Sequence, residues 1–501
     1  MPTIFPCNGP RPSAGFRTAF LALVLVAGFA IGACERESAS QAVATPPSPV
    51  PAAPLPESPG RESATAPVGS PAPLSESSRQ AATASPVNAD PAPGQSGFDQ
   101  FVRENARRAA AAAERVRGLD RPFLEPRIVS PDEAAAEIAA ALKDQDAEEV
   151  WRRDRALQLL GVLPSGQGLD EIYLGLVPDQ VIGFYLAKED ELYVVEPAEI
   201  GRSASDQALI TLAHEYIHAL QQTNFDIESL SAAVPILDFD RQLALSALIE
   251  GDASVFGFTA VAEQVDLQAL RAEEPAPPPD MGRSGEFVLQ LLAYPYVAGA
   301  EYVLGVLLAS GLTGLDGLYD PSALPQATAQ ITPLGLRSQW QRSSAAEFAT
   351  PELPCWNSLG SGSLGQFVLG VLLGGQIEKG QRGPSDWVDD HLLLIGNGET
   401  EVLMYRAEFA GPAAAEDFFV RLQGLIAGGQ LDHAGRMGTL EATGPASFSW
   451  KLEKRTAWAE FNGTGVNLIV GDHARAVESA ASALAGFVDV ELAEEDYCPA
   501  Q

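Results

Sequence analysis

Residues 208–222 read ALITLAHEYIHALQQ. The stretch has no Gly or Pro, and its apolar residues recur at helical spacing. It predicts a helix from about Asp206 to Gln222, with Ser203 or Ser205 as its cap. Inside it lies His214-Glu215-Tyr216-Ile217-His218. Histidines four apart project from one helix face, one turn above the other. Two neutral imidazoles so placed can take adjacent corners of a tetrahedral zinc site. Glu215 then lies within reach of a metal-bound water rather than of the metal. The alternative is a helix with two core or solvent-facing histidines. Only five histidines occur in 501 residues, which makes the pair informative.

A hydrolytic zinc also needs a third protein ligand and an open position. No useful third His follows nearby, so a carboxylate is required. Glu250, in Ala247-Leu248-Ile249-Glu250-Gly251-Asp252-Ala253, is the best candidate. It stands within an otherwise apolar helix expected from about Arg241 to Val261, where a lone carboxylate is costly unless paired or bound to metal. The alternative is a Glu on the wet face of that helix.

His-Glu-x-x-His followed about thirty residues later by Glu resembles the gluzincin metallopeptidases. The Glu250-to-Ala253 context resembles their aminopeptidase-like and peptidase MA branches. Gly183-Phe184-Tyr185, Ala213 to Asp226, Glu250 to Ala253 and Tyr294-Pro295-Tyr296-Val297-Ala298-Gly299 are together similar to uncharacterised bacterial metallopeptidases. That likeness covers most of 98–345. It implies one Zn2+ held by His214, His218 and Glu250, with Glu215 as general base for attack of zinc-activated water on a peptide carbonyl. An oxyanion donor is expected too, Tyr296 first and Tyr294 behind it. Many gluzincins carry a carboxylate four residues after the ligand Glu, buttressing a zinc histidine. Here that position is Ser254. Asp252 points about 200° away on an ideal helix and is a poor substitute; Asp226 is a weaker alternative. Two rival functions stay open: a non-catalytic surface scaffold with a vestigial or structural zinc site, and a zinc amide hydrolase acting on a non-protein substrate.

The N-terminus resembles an export signal. Arg11 and Arg17 precede an apolar run from Thr18 to Ala33, which ends Ile31-Gly32-Ala33-Cys34. Small residues before a Cys resemble a bacterial lipobox, which implies lipidation of Cys34. The alternative is an uncleaved membrane anchor. Residues 35 to about 97 are dominated by Ala, Pro, Ser and Glu, a composition that cannot bury enough apolar surface to fold and reads as a tether. The expected location is the outer face of the cytoplasmic membrane. There Cys355 and Cys498 are free to pair, or to remain separate thiols. The formal charge of −34 repels phosphate backbones and argues against nucleic acid as a partner, leaving a peptide or protein substrate and the membrane.

Further helices are expected at 98–118, from Pro131 (capped by Ser130) to about Lys143, and at 147–160. A hairpin is expected from runs at 181–186 and 191–195. The apolar segment 286–312 reads as a buried helix rather than a membrane span, because Pro295, Glu301 and several glycines interrupt it. After about 350 short β-type runs (391–396, 401–409, 445–452, 456–461, 465–470) alternate with helical stretches (364–377, 413–426, 474–486). The fold expected is α+β. It comprises a signal peptide (1–33), a tether (34–97), a mainly helical zincin-like domain with a small sheet (98–349) and a smaller α+β domain (350–501). His391, His433 and His473 read as ordinary surface or packing residues. Asp386 to Asp390 reads as a solvated turn, or else a calcium loop.

Overall fold

The structure is a computed structural model. It describes residues 95–197, 202–266, 268, 270, 282–332, 340–343, 355–374, 383–384, 386–429, 436–444 and 446–484. The expected signal peptide, Cys34, most of the tether, the Pro-rich stretch 275–279, His433 and Cys498 lie outside these residues. Cys355 is disulfide-bonded.

The architecture is α+β: a mostly helical region followed by a sheet-rich part. The first region comprises α1 (Gln95–Arg117), β1 (Arg127–Val129), α2 (Pro131–Lys143), α3 (Ala147–Leu159), α4 (Leu169–Gln180), β2 (Gly183–Leu186), β3 (Glu191–Val195), α5 (Arg202–Phe225), α6 (Ile227–Ala232), α7 (Phe239–Val261) and α8 (Gly282–Gly317). Local chemistry sets several of these boundaries. Ser130 accepts from the Glu133 N–H while Glu133 accepts from the Ser130 N–H, a reciprocal cap with Pro131 behind it. Asp238 caps α7 through the Arg241 N–H. α5 already begins at Arg202, so Ser203 and Ser205 lie inside it and are not its cap. The three-residue β1 and the helix α4 have no clear periodic signal in the sequence.

β2 and β3 form the expected hairpin, and β1 pairs parallel to β3, giving the order β1-β3-β2. This small sheet lies on α5 at close range. A Cβ on Gly183 would stand 2.5 Å from the Thr211 methyl and 2.7 Å from the Tyr193 carbonyl, so only Gly fits there. α5 is enclosed by β2 and β3, by α1 and by α7, and every residue from Thr211 to Gln221 is buried. α7 in turn packs on α8. A Cβ on Gly251 would stand 2.3 Å from the Gly299 backbone, so the two helices nearly touch.

The expectation of a buried helix over 286–312 needs correction. The N-terminal half of α8 is packed, with Phe287, Val288, Tyr294 and Ala298 in the core. Beyond Val303 the helix emerges: Leu304 and Leu312 are exposed and Leu308 is 77 % exposed. Gly311, at φ 65°, breaks its helical path. By length and composition α7 and α8 are both apolar enough to cross a membrane, although α7 is mostly enclosed by protein.

The second region holds β4 (Asn357–Gly362), α9 (Gly365–Leu372), β5 (Trp387–Gly396), β6 (Glu401–Phe409), α10 (Pro412–Ala427), β7 (Thr439–Gly444), β8 (Ser447–Leu452), β9 (Arg455–Asn462), β10 (Gly465–Gly471) and α11 (Ala474–Leu484). Seven antiparallel strands run in the order β4-β5-β6-β10-β9-β8-β7. The period-two pattern of β6 divides its faces. Leu403, Tyr405 and Ala407 share a core with α10, whereas Val402 and Met404 pack with α11. The edge strands β4 and β7 are largely exposed and Gly- or Thr-bearing, which hides them from pattern reading. The largest buried cluster includes side chains from α3, α7 and α8 as well as from this sheet.

The solvated-turn and calcium readings of Asp386–Asp390 are both set aside by the structure. Trp387 to Asp390 begin β5, and Asp389 and Asp390 are buried. Asp390 accepts from the N–H groups of Leu364 and Gly365, from Trp387 Nε1 and from the Tyr405 hydroxyl. An array of hydrogen donors holds a carboxylate and offers a cation nothing. Asp240, from α7, is buried nearby and accepts from the Thr328 N–H and hydroxyl. Burial first, and then the charge of Asp390, raise Asp240 to about 8; burial is likewise the main cause that raises Asp390 to about 7.

Candidate metal centre

Two helices and one carboxylate define the centre. α5 presents His214 and His218 one turn apart, and α7 crosses it to present Glu250. The three converging atoms are His214 Nε2, His218 Nε2 and Glu250 Oε2. Their separations are 3.1 Å between the two nitrogens and 3.2 and 3.3 Å from the carboxylate oxygen to each. All three residues are buried. Among the described residues no other group of three or more His, Cys, Asp or Glu side chains converges closely enough to hold a metal ion.

The spacing tests whether an ion fits. A tetrahedral ion with arms of about 2.0–2.1 Å requires ligand-to-ligand edges of roughly 3.3–3.4 Å. The observed edges fall within a few tenths of an ångström of that value. The donor set, two imidazoles and one carboxylate, is the kind that holds zinc while leaving a corner free.

Gly257 makes the crossing possible. A Cβ there would stand 2.7 Å from His214 Cα and 2.9 Å from His214 N. Its hydrogen lets α7 approach the backbone of the ligand residue itself, two turns after Glu250.

The electrostatics of the pocket follow from burial. Desolvation lowers His214, outweighing the opposite pull of Glu250, which favours the neutral ring that a metal requires. Burial pushes Glu250 up, but His218 and His214 pull it further down, to about 2. Glu215 is fully buried, and neither of its oxygens has a hydrogen-bond partner of normal geometry among the described residues. Burial and the nearby Glu250 raise its carboxyl well above the ordinary range, against a smaller downward pull from the Tyr185 backbone on β2. A buried carboxyl without such a partner is costly for the fold, and groups of this kind cluster at functional sites.

Tyr296 stands over the site. Its ring stacks on His214 with centroids 5.9 Å apart, and burial together with Glu250 and Glu215 raises its hydroxyl well above the usual range. Tyr294 faces elsewhere: its hydroxyl donates to the Thr328 carbonyl and its ring packs on Phe367. It is therefore not a donor for this centre. Tyr173, which sequence reasoning missed, is fully buried on α4, and its hydroxyl has no hydrogen-bond partner among the described residues. Burial chiefly, and then the charges of Glu250, Asp170 and Glu215, raise it. Nothing in the pattern around Tyr173 distinguishes it from an ordinary packing residue.

Asp226 caps α6 in the left-handed region (φ 51°) and is exposed, so it buttresses no histidine. Asp252 does not touch either ring. It pairs with Arg117 Nε at 2.8 Å and accepts from the Tyr319 hydroxyl at 2.7 Å. The partner that does touch a ring is Gln221, three residues after His218 and therefore on the same face of α5; its Oε1 lies 2.8 Å from His218 Nδ1. That spacing was the available signal in the sequence. His391 and His473, on β5 and just before α11, lie on elements remote in sequence from the centre and take no part in it.

No family model matches this chain, and no curated protein matches it. Among solved structures it is similar to a "putative hydrolase with a novel fold" from Chloroflexus aurantiacus, at 18 % identity and a TM-score of 0.31, over 48 % of this chain and 89 % of that one. A likeness of that degree carries no argument about fold or chemistry. What can be stated of this protein rests on its own residues: His214, His218 and Glu250 form a buried group able to hold a metal ion.

Proposed function

We propose that the protein is a gluzincin-type zinc hydrolase that cleaves peptide bonds, tethered outside the cytoplasmic membrane by a lipid on Cys34. The observation that carries the proposal is the buried triangle of His214, His218 and Glu250 with the unsatisfied Glu215 beside it. A purely structural zinc site would have a fourth protein ligand and no use for Glu215.

His214, His218 and Glu250 would hold the zinc. When bound, it supplies a Lewis acid and a water of lowered pKa. Glu215 takes the proton from the attacking water and returns it to the leaving amine. Burial already raises the Glu215 carboxyl, so the protonated state reached after it takes the water's proton is one the pocket tolerates. Tyr296, stacked on His214, is placed to donate a hydrogen bond to a developing oxyanion. The dry walls around Glu215 strengthen each of these interactions.

The test is Glu215→Gln. The variant should bind one equivalent of zinc with wild-type affinity and lose peptide hydrolysis by about 10^3-fold in a peptide-library digest, general-base catalysis typically contributing about 10^2–10^4-fold. Retained hydrolysis in that variant would remove the mechanism.

A further inference from the structure

The hydrogen-bond directions behind His218 can be read from their fixed ends. Ile249 contributes a backbone carbonyl, which can only accept. It lies 3.0 Å from Gln221 Nε2, so the Gln221 amide must turn its NH2 toward Ile249. The amide oxygen then faces His218 Nδ1 at 2.8 Å and can only accept from it. His218 must therefore carry a proton on Nδ1; in a neutral imidazole that leaves Nε2 as the lone-pair nitrogen. That Nε2 is the atom 3.1 Å from His214 Nε2 and 3.3 Å from Glu250 Oε2.

The other end of the chain is fixed as well. The second N–H of Gln221 donates to the Tyr319 hydroxyl at 3.0 Å. The Tyr319 hydroxyl donates its own hydrogen bond to Asp252 Oδ2 at 2.7 Å. Asp252 receives this bond on one carboxylate oxygen while Arg117 Nε donates to the other at 2.8 Å. Arg117 is fully buried, lies near the rings of Phe225 and Phe256, and also pairs with Asp316 at 2.7 Å. Phe225 stacks on Tyr319 with ring centroids 4.2 Å apart, which locks the phenol in place. His218, Gln221, Tyr319, Asp252 and Arg117 are all buried.

We infer that Gln221 is a positioning residue that fixes His218 in the Nδ1–H tautomer, and that Tyr319, Asp252 and Arg117 exist to hold Gln221 in that orientation. The inference rests on the reading of His218 as a zinc ligand. The arrangement ties one ligand of the centre to α1, α7 and α8 at once.

The experiment uses the full chain, selectively 15N-labelled at histidine, stripped of metal and held at about pH 8, where free imidazole is neutral. Long-range 1H–15N correlation reports the tautomer of each of the five histidines, with His218 assigned through a His218→Gln variant. The expected result is His218 as Nδ1–H in the wild type. Gln221→Leu should return it to the ordinary mixture and weaken zinc binding, titrated against a chromophoric chelator, by about 10–100-fold. If Gln221→Leu does not fold, Tyr319→Phe decides: it removes one hydroxyl and should loosen zinc severalfold while altering the His218 line shape. A wild-type His218 protonated on Nε2 would overturn the inference, as would a Gln221→Leu or Tyr319→Phe protein with unchanged tautomer and unchanged zinc affinity. Failure of the metal reading looks different: the tautomer would be as stated, and the wild type would bind no zinc at all.

Discussion

Replacing Gly257 with Ala perturbs the centre without touching a ligand. The added methyl would stand 2.7 Å from His214 Cα, and ordinary van der Waals contact begins near 3.4 Å. The obstacle is main chain rather than a flexible side chain, so α5 and α7 must separate locally by about 0.7 Å, the difference of those two distances. The ligand edges are 3.1, 3.2 and 3.3 Å, so a displacement of that size spoils the fit to a tetrahedral ion. Overpacking of this kind costs roughly 1–3 kcal/mol, partly offset by the better helix propensity of Ala, worth about 0.5–1 kcal/mol. Melting should fall by several degrees in the metal-free protein. Zinc affinity should fall by at least about 10-fold, consistent with a misplacement approaching 1 Å in a preorganised site. The assay is a chelator-competition titration alongside thermal unfolding with and without zinc. Gly424→Ala is the control: that glycine is exposed in α10, with nothing within 4 Å of its would-be Cβ, and the change should be neutral or slightly stabilising. A Gly257→Ala protein with wild-type zinc affinity and an unchanged melt would refute the idea that helix approach at this glycine sets the metal geometry.

Other expectations follow from the same structure. Asp240 and Asp390 titrate near 8 and 7 in the fold but below about 4 in the unfolded chain, so the fold holds protons that the unfolded chain has released. Stability should therefore decline as pH rises from about 4 to about 8 and then level off. Urea midpoints across that range should show the slope, and Asp240→Asn should flatten it. Tyr296→Phe should lower kcat by roughly 10^2-fold with zinc content unchanged, as expected for loss of one oxyanion donor, and equal kcat in the variant would return Tyr296 to a packing role. Arg117→Met leaves Asp252 buried without its cation and should cost about 3–5 kcal/mol in denaturant unfolding; Arg117→Met with Asp252→Asn should recover part of that loss.

The helices that carry the centre were legible because their chemistry is local. His214 and His218 advertise themselves by spacing, and Glu250 by its isolation in an apolar helix. The reciprocal cap at Ser130 and Glu133 likewise sits within four residues of sequence. What sequence could not show depends on distant partners. β1 is three residues long and exists because β3, more than sixty positions later, offers it an edge. Asp389 and Asp390 look like a solvated turn until Ser343, Leu364, Gly365 and Tyr405 arrive to donate to them. Asp252 is the sharpest case: helix geometry turned it away from His214 and His218, yet Tyr319 and Gln221 bridge the gap. The emergence of α8 after Val303 is a matter of tertiary packing, which composition does not encode.

The Arg117–Asp252 pair joins positions 135 apart in the chain. Closing so long a loop is slow, because its entropy is lost before the contact is gained. α1, the first described helix, therefore leaves any synthesising or exporting machinery long before its partner exists, with an arginine that stays solvated until α7 arrives. Assembly of the metal pocket should thus coincide with the final docking step. Zinc added to refolding protein should accumulate with the slowest phase rather than with early helix formation, which makes the ion a reporter of completed folding.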